Sequence, residues 1–81
     1  MVSFDSIKTS YGTISVGDIF KNDLHTMKVV CLEMEEHEGN NDYAHVYCIK
    51  ILENGFPIGA IQKRSIYNFC PYFTLYKKAN K

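Results

Sequence analysis

Apolar side chains two positions apart, interrupted every few residues by glycine, asparagine or aspartate, run through most of this chain. That spacing predicts short β-strands, because alternate residues of a strand share one face. In "TISVGDIF" (13–20), Ile14 and Val16 are two apart, Gly17-Asp18 breaks the run, and Ile19 and Phe20 resume it: a short strand with a turn or bulge. "TMKVVCLEME" (26–35) predicts a second strand, with β-branched residues at its centre. "EHEGNND" (36–42) is a water-facing loop, since glycine, asparagine and aspartate favour turns. "YAHVYCIKILE" (43–53) predicts a long strand that ends at Asn54-Gly55, a hairpin signal for a type I′ turn with positive φ at both central residues. "FPIGAIQ" (56–62) then returns antiparallel and short, with Pro57 at a strand start or edge and Gly59 inviting a bend. "KRSIYNF" (63–69) can form one helical turn with Ile66 and Phe69 on one side, ended by Pro71. In "YFTLYKK" (72–78), Tyr72, Thr74 and Tyr76 alternate with Phe73 and Leu75 in a last strand.

Two of these strands break the expected hydrophobic-in, polar-out alternation. Strand 26–35 has Val29 and Cys31 on one face and Val30, Leu32 and Met34 on the other; strand 43–53 opposes Tyr47, Ile49 and Ile51 to Val46, Cys48 and Leu52. Either a second layer of the same chain covers the outer face or another subunit does. In so short a chain this raises the expectation of a homodimer or an obligate partner.

Five short strands in meander order, a polar loop in the middle and a helical turn just before the last strand form an arrangement that resembles the SH3-like small barrels, the group of Tudor, KOW-type and many phage or bacterial adaptor domains. The residues that carry the likeness are "ISVGDIF", "ILENGFPIG" and "KRSIYNFCPYFTLY", which together span most of residues 13–78. The expected fold is therefore all-β, a small SH3-like barrel of about five antiparallel strands with one short helical turn. The resemblance implies binding through loops and sheet faces and carries over no site residues: there is no KOW glycine pattern and no tryptophan for a proline-rich ligand.

Length fits one domain over residues 1–81, with the barrel at about 13–78 and flanking segments at 1–12 and 79–81. A hydrophobic content of 46% with 22% charged residues is that of a folded protein. No apolar run approaches the roughly 18 residues of a membrane span, so a cytoplasmic protein with no membrane partner is expected. Net charge is zero, but residues 1–53 carry −5 and residues 54–81 carry +5. Such asymmetry points to a polyanion or a charged partner, although lysine, isoleucine, asparagine and tyrosine are also what AT-rich coding DNA enriches.

Chemistry-bearing constellations are sparse. Cys31, Cys48 and Cys70 are widely spaced with no C-x-x-C pair, which suggests reduced, partly buried thiols and neither a disulfide framework nor a zinc ribbon. His45 and Cys48, three apart on one strand, point to opposite faces and form no dyad. "EMEEHEGNND" lacks the spacing that wraps a loop around calcium, and no glycine-rich phosphate loop precedes a helix. The expectation is a non-enzymatic protein with no cofactor and no metal.

Two binding sites are candidates. The first is an acidic surface, Glu33, Glu35, Glu36, Glu38 and Asp42, that would meet a basic protein partner such as a nuclease. It belongs to a reading of the chain as a small accessory or inhibitor protein, of the kind phages encode against host defence or nucleic-acid-processing proteins. The alternative is RNA or DNA binding through Lys63, Arg64, Tyr67, Tyr72, Tyr76, Lys77 and Lys78, whose cations would neutralise phosphates while tyrosine rings stack on bases. In that stretch Ile66, Phe69, Phe73 and Leu75 are assigned to the core, leaving the tyrosines for a surface.

Overall fold

A computed structural model describes residues 2–34 and 41–79. Along the chain run β1 (Val2–Phe4), β2 (Ser6–Thr9), β3 (Gly12–Ser15), β4 (Ile19–Lys21), β5 (Thr26–Met34), a 3-10 turn (Asn41–Tyr43), β6 (His45–Ile51), β7 (Pro57–Ser65), the single-turn helix α1 (Ile66–Phe69), a second 3-10 turn (Cys70–Tyr72) and β8 (Thr74–Lys77). The protein is all-β with antiparallel pairing throughout. The main sheet has the order β7-β6-β5-β4-β8, with β1 also on β5, and β2 and β3 form a separate hairpin. It is an open sheet: β7 and β8 stand at its two ends and do not pair, so the closed barrel expected from the sequence is not formed among the described residues.

The core lies between the curled main sheet, the β2–β3 hairpin and α1. Ile7 and Ile14, directly opposite on the hairpin, are buried with Phe20, Met27, Val29, Leu32, Val46, Cys48, Ile66, Phe69 and Phe73. Phe69 is its centre, edge-on to Phe20 at 5.0 Å and stacked on Phe73 at 4.9 Å. α1 thus carries Ile66 and Phe69 inward, three apart as the sequence predicts. Leu75 departs from its core assignment and is 41% exposed. Its strand ends an open sheet, so no further strand covers it.

Apolar residues of both parities in β5 and β6 have a local cause. The ladder pairs Val29 with Cys48 but Cys31 with Tyr47, so Val30 is an extra residue that reverses which face looks inward. Met27 and Val29 before it are buried, and so is Leu32 after it. On β6 the buried parity also shifts between Cys48 and Ile51, where the ladder with β7 is irregular: the step from Cys48 to Lys50 faces the longer step from Gln62 to Ile58, so the surplus residues are on β7.

Three expectations about segment 52–72 change. The β6–β7 hairpin is not type I′, because only Gly55 has positive φ (87°) and no described non-glycine residue does. The Gly55 amide donates to the Leu52 carbonyl at 2.8 Å and the Leu52 amide to the Phe56 carbonyl at 2.9 Å. This is a three-residue loop with glycine in the bulge position, and the Asn54 side chain accepts from the Phe56 amide instead of adopting positive φ. The returning strand is long, nine residues, since Lys63, Arg64 and Ser65 stay in register with Tyr47, Val46 and His45. Helix begins only at Ile66 and Pro71 falls inside the second 3-10 turn. Pro57 opens the end strand and Gly59, at φ 78°, lies in the irregular stretch of its ladder, both as the sequence suggests.

Candidate functional site

The register of β7 decides where the basic residues go. Gln62 and Arg64 lie opposite buried Cys48 and Val46, so they turn inward at the open end of the sheet. There the Arg64 guanidinium sits 5.6 Å from the Phe73 ring centroid and its Nη2 donates to Gln62 Oε1 at 3.1 Å. Arg64 Nε is shut off from solvent with no hydrogen-bond partner. Lys63 faces the other side, its ammonium 5.9 Å from the Tyr47 ring. A groove at this end is lined by Gln62, Lys63, Arg64, Ser65, Asn68 and Tyr72, two cations and no acid. Tyr72 is 64% exposed and forms one wall.

The other residues of the expected nucleic-acid set lie elsewhere. Tyr67 packs edge-on against Tyr43 at 5.8 Å. Tyr76 takes the Lys21 ammonium over its ring at 4.2 Å and, with Lys77, borders a separate groove beside the β6–β7 turn. Lys78 is engaged within the chain: its half-exposed side chain donates from Nζ to Asp18 Oδ2 at 2.9 Å and to the Thr13 carbonyl at 3.1 Å. Asp18 is fully buried. Burial by itself pushes its carboxyl up, but the amides of Ala79 and Ser15 and the Lys78 ammonium outweigh that and hold it below the usual carboxylate range.

Of the expected acidic site, Glu33 lies half-buried on β5, where it accepts the Tyr47 hydroxyl; that bond, with some burial, raises the tyrosine pKa. Glu35, Glu36, Glu38 and the side chain of Asp42 lie outside the described residues. Among the described residues no three His, Cys, Asp or Glu side chains gather as metal ligands. Burial raises the Cys48 thiol pKa, with only partial relief from Arg64, while the Cys31 and Cys70 thiols are half-buried and in no disulfide.

Large apolar side chains stand in solvent along one hairpin: Leu52 is 45% exposed, Phe56 66%, Ile58 41% and Ile61 57%. Ile61 continues into a shallow hollow on the outer sheet face with Val30, Cys31, Glu33 and Tyr47. The sequence predicts this hairpin but does not mark it as a site, and it does not mark Gln62, Ser65 or Asn68 either. Gln62 had a signal, being two residues from Arg64 and so on its face; Asn68 had none. No family model, no curated protein and no solved structure matches this chain.

Proposed function

We propose that this chain is a non-enzymatic binding protein that acts by occupying the surface of another protein, on an SH3-like scaffold left open at one seam. The observation that carries the binding reading is the exposed apolar run of Leu52, Phe56, Ile58 and Ile61 on the β6–β7 hairpin. Several large apolar side chains left in solvent on one hairpin favour a contact with another macromolecule. The scaffold reading is supported by the strand order, a meander from β4 to β7 whose last strand, β8, returns beside β4 after a helical turn. Direct RNA or DNA binding has less support, since only Lys63, Arg64 and Tyr72 of its seven residues share a groove.

The test is affinity capture with the tagged protein, with and without nuclease, comparing the natural chain with a Phe56→Ser, Ile61→Lys double variant. A protein retained after nuclease by the natural chain and lost by the variant, with unchanged circular dichroism, is the expected result. Equal retention by both would remove the hairpin from the site, and recovery of RNA or DNA that vanishes with nuclease would favour the basic groove.

A further inference from the structure

The basic groove touches four consecutive residues of β7, Gln62 to Ser65. Consecutive strand residues point to opposite faces, so a groove that meets all four runs along the edge of the strand. Asn68 and Tyr72 stand on its far side.

Which main-chain groups look into it follows from one hydrogen bond. The Ile66 amide donates to the Ala44 carbonyl at 3.0 Å. In an antiparallel ladder the residues that exchange bonds recur at every second position. The pairs Val46 with Arg64 and Cys48 with Gln62 share that parity, so Gln62 and Arg64 direct their N–H and C=O toward β6. Lys63 and Ser65 direct theirs away from it, into the groove, and among the described residues β7 has no strand on that side. The first half of β7 is guarded against such pairing: Pro57 has no N–H, and Gly59 bends the ladder. The second half keeps an uninterrupted register with β6 and, among the described residues, is open and basic.

Resting on the protein-binding reading above, we propose that an extended acidic segment of the partner adds to β7 as a further strand. Its main chain pairs with Lys63 and Ser65, and its carboxylates meet Lys63 and Arg64. Main-chain bonds would hold it and the cations would select its charge. A second copy of this chain is a poorer occupant, since antiparallel pairing of β7 with itself would bring Lys63 and Arg64 close to their own counterparts, and like charges across strands repel.

The probe is an acetylated, amidated heptapeptide with two consecutive glutamates at its centre, Val-Thr-Val-Glu-Glu-Val-Thr, so that one carboxylate lies on each face, titrated into ¹⁵N-labelled protein and followed by amide shifts and hydrogen exchange. In the free protein the Lys63 and Ser65 amides should exchange far faster than those of Gln62 and Arg64. With peptide they should slow at least about tenfold, and shifts should cluster at 61–65, Asn68 and Tyr72. A Lys-for-Glu peptide, or one with alternate amides N-methylated, should do neither. Ser65→Pro supplies a variant that keeps the fold, because Ser65 already has φ −75° and its N–H has no role in the β6 ladder. It should melt like the natural chain and weaken peptide binding about tenfold or more. Slow exchange at Lys63 and Ser65 in the free protein, or no protection by the peptide, would overturn the proposal; so would protection by a short oligodeoxythymidylate alone, which would make the groove a nucleic-acid site. If captured protein still depends on Phe56 and Ile61 but is indifferent to Lys63→Glu, the edge proposal falls while the hairpin reading stands.

Discussion

Replacing Asp18 by alanine should destabilise the protein more than any other single change of a charged residue described above. Its carboxylate is fully buried and accepts three charge-assisted bonds: from the Ser15 amide at 2.9 Å, the Ala79 amide at 2.7 Å and the Lys78 ammonium at 2.9 Å. The Ser15 amide would be left buried without a partner, at about 1–3 kcal/mol. The bond to Ala79 adds about 1 kcal/mol, and the ion pair adds little because the Lys78 side chain is 50% exposed and can rehydrate. The sum is about 3 kcal/mol, against roughly 4–12 kcal/mol of total stability for a domain this size. Urea unfolding followed by circular dichroism measures it. Acid titration checks the electrostatics: because the native carboxyl pKa is lowered, the contribution is full above the unfolded value, about 4, and fades as pH falls through the native value. The stability gap between the natural chain and Asp18→Asn should therefore narrow on acidification. An Asp18→Ala loss under about 0.5 kcal/mol, within the range of ordinary surface changes, or a gap that widens toward low pH, would refute the reasoning.

Phe69→Ala should lower stability by about 3–5 kcal/mol, because it removes the ring between Phe20 and Phe73; an unchanged melting temperature would contradict the core assignment. Gly17→Ala combines a φ of +98° with a Cβ placed 3.0 Å from that of Ala79, so a loss of about 1–2 kcal/mol is expected. That loss should shrink in the Asp18→Ala background, since both changes act on the seating of Ala79, and a double-mutant cycle would read the coupling. A thiol reagent at neutral pH should modify Cys31 and Cys70 well before Cys48, whose thiol is buried with a raised pKa; mass spectrometry of the labelled protein would show it, and equal rates would mean that β6 opens readily.

How far the fold was legible depends on whether the deciding interaction was local. Strand and turn positions from 13 onward follow from alternation and from Gly17, Gly55 and Gly59, all of which take positive φ. Hairpin type was misjudged because Asn54 satisfies the turn by a side-chain bond, a choice made by the strands it joins. The bulge at Val30 and the irregular β6–β7 register beside Ile49 leave a visible trace, apolar residues of both parities, but that trace also fits a second covering layer, and only the register with the neighbouring strands distinguishes the two. Asp18 reads in sequence as a turn residue. Beyond the local Ser15 amide, its partners Lys78 and Ala79 are 60 and 61 positions away. The basic site was half legible, since Lys63 and Arg64 were singled out, whereas their separation from Tyr76 and Lys77 came from strand β7 outrunning its expected end.

β5 is matched along most of its length on both sides. β6 takes one side, while the other is shared by β4 at Thr26–Lys28, by the Gly17 and Asp18 main chain at Val29, and by β1 at Leu32–Met34. The three residues of β1 therefore act as a stopper on the end of β5, Leu32–Met34. Trimming them would uncover a bare strand of a different shape and composition from β7. Among the described residues of the main sheet it would be a third bare edge beside those of β7 and β8, and each further unlike edge adds a way for subunits to join head to tail without closing a ring, which is how filaments grow. On this view a short opening strand that adds little to the core helps keep the molecule from polymerising.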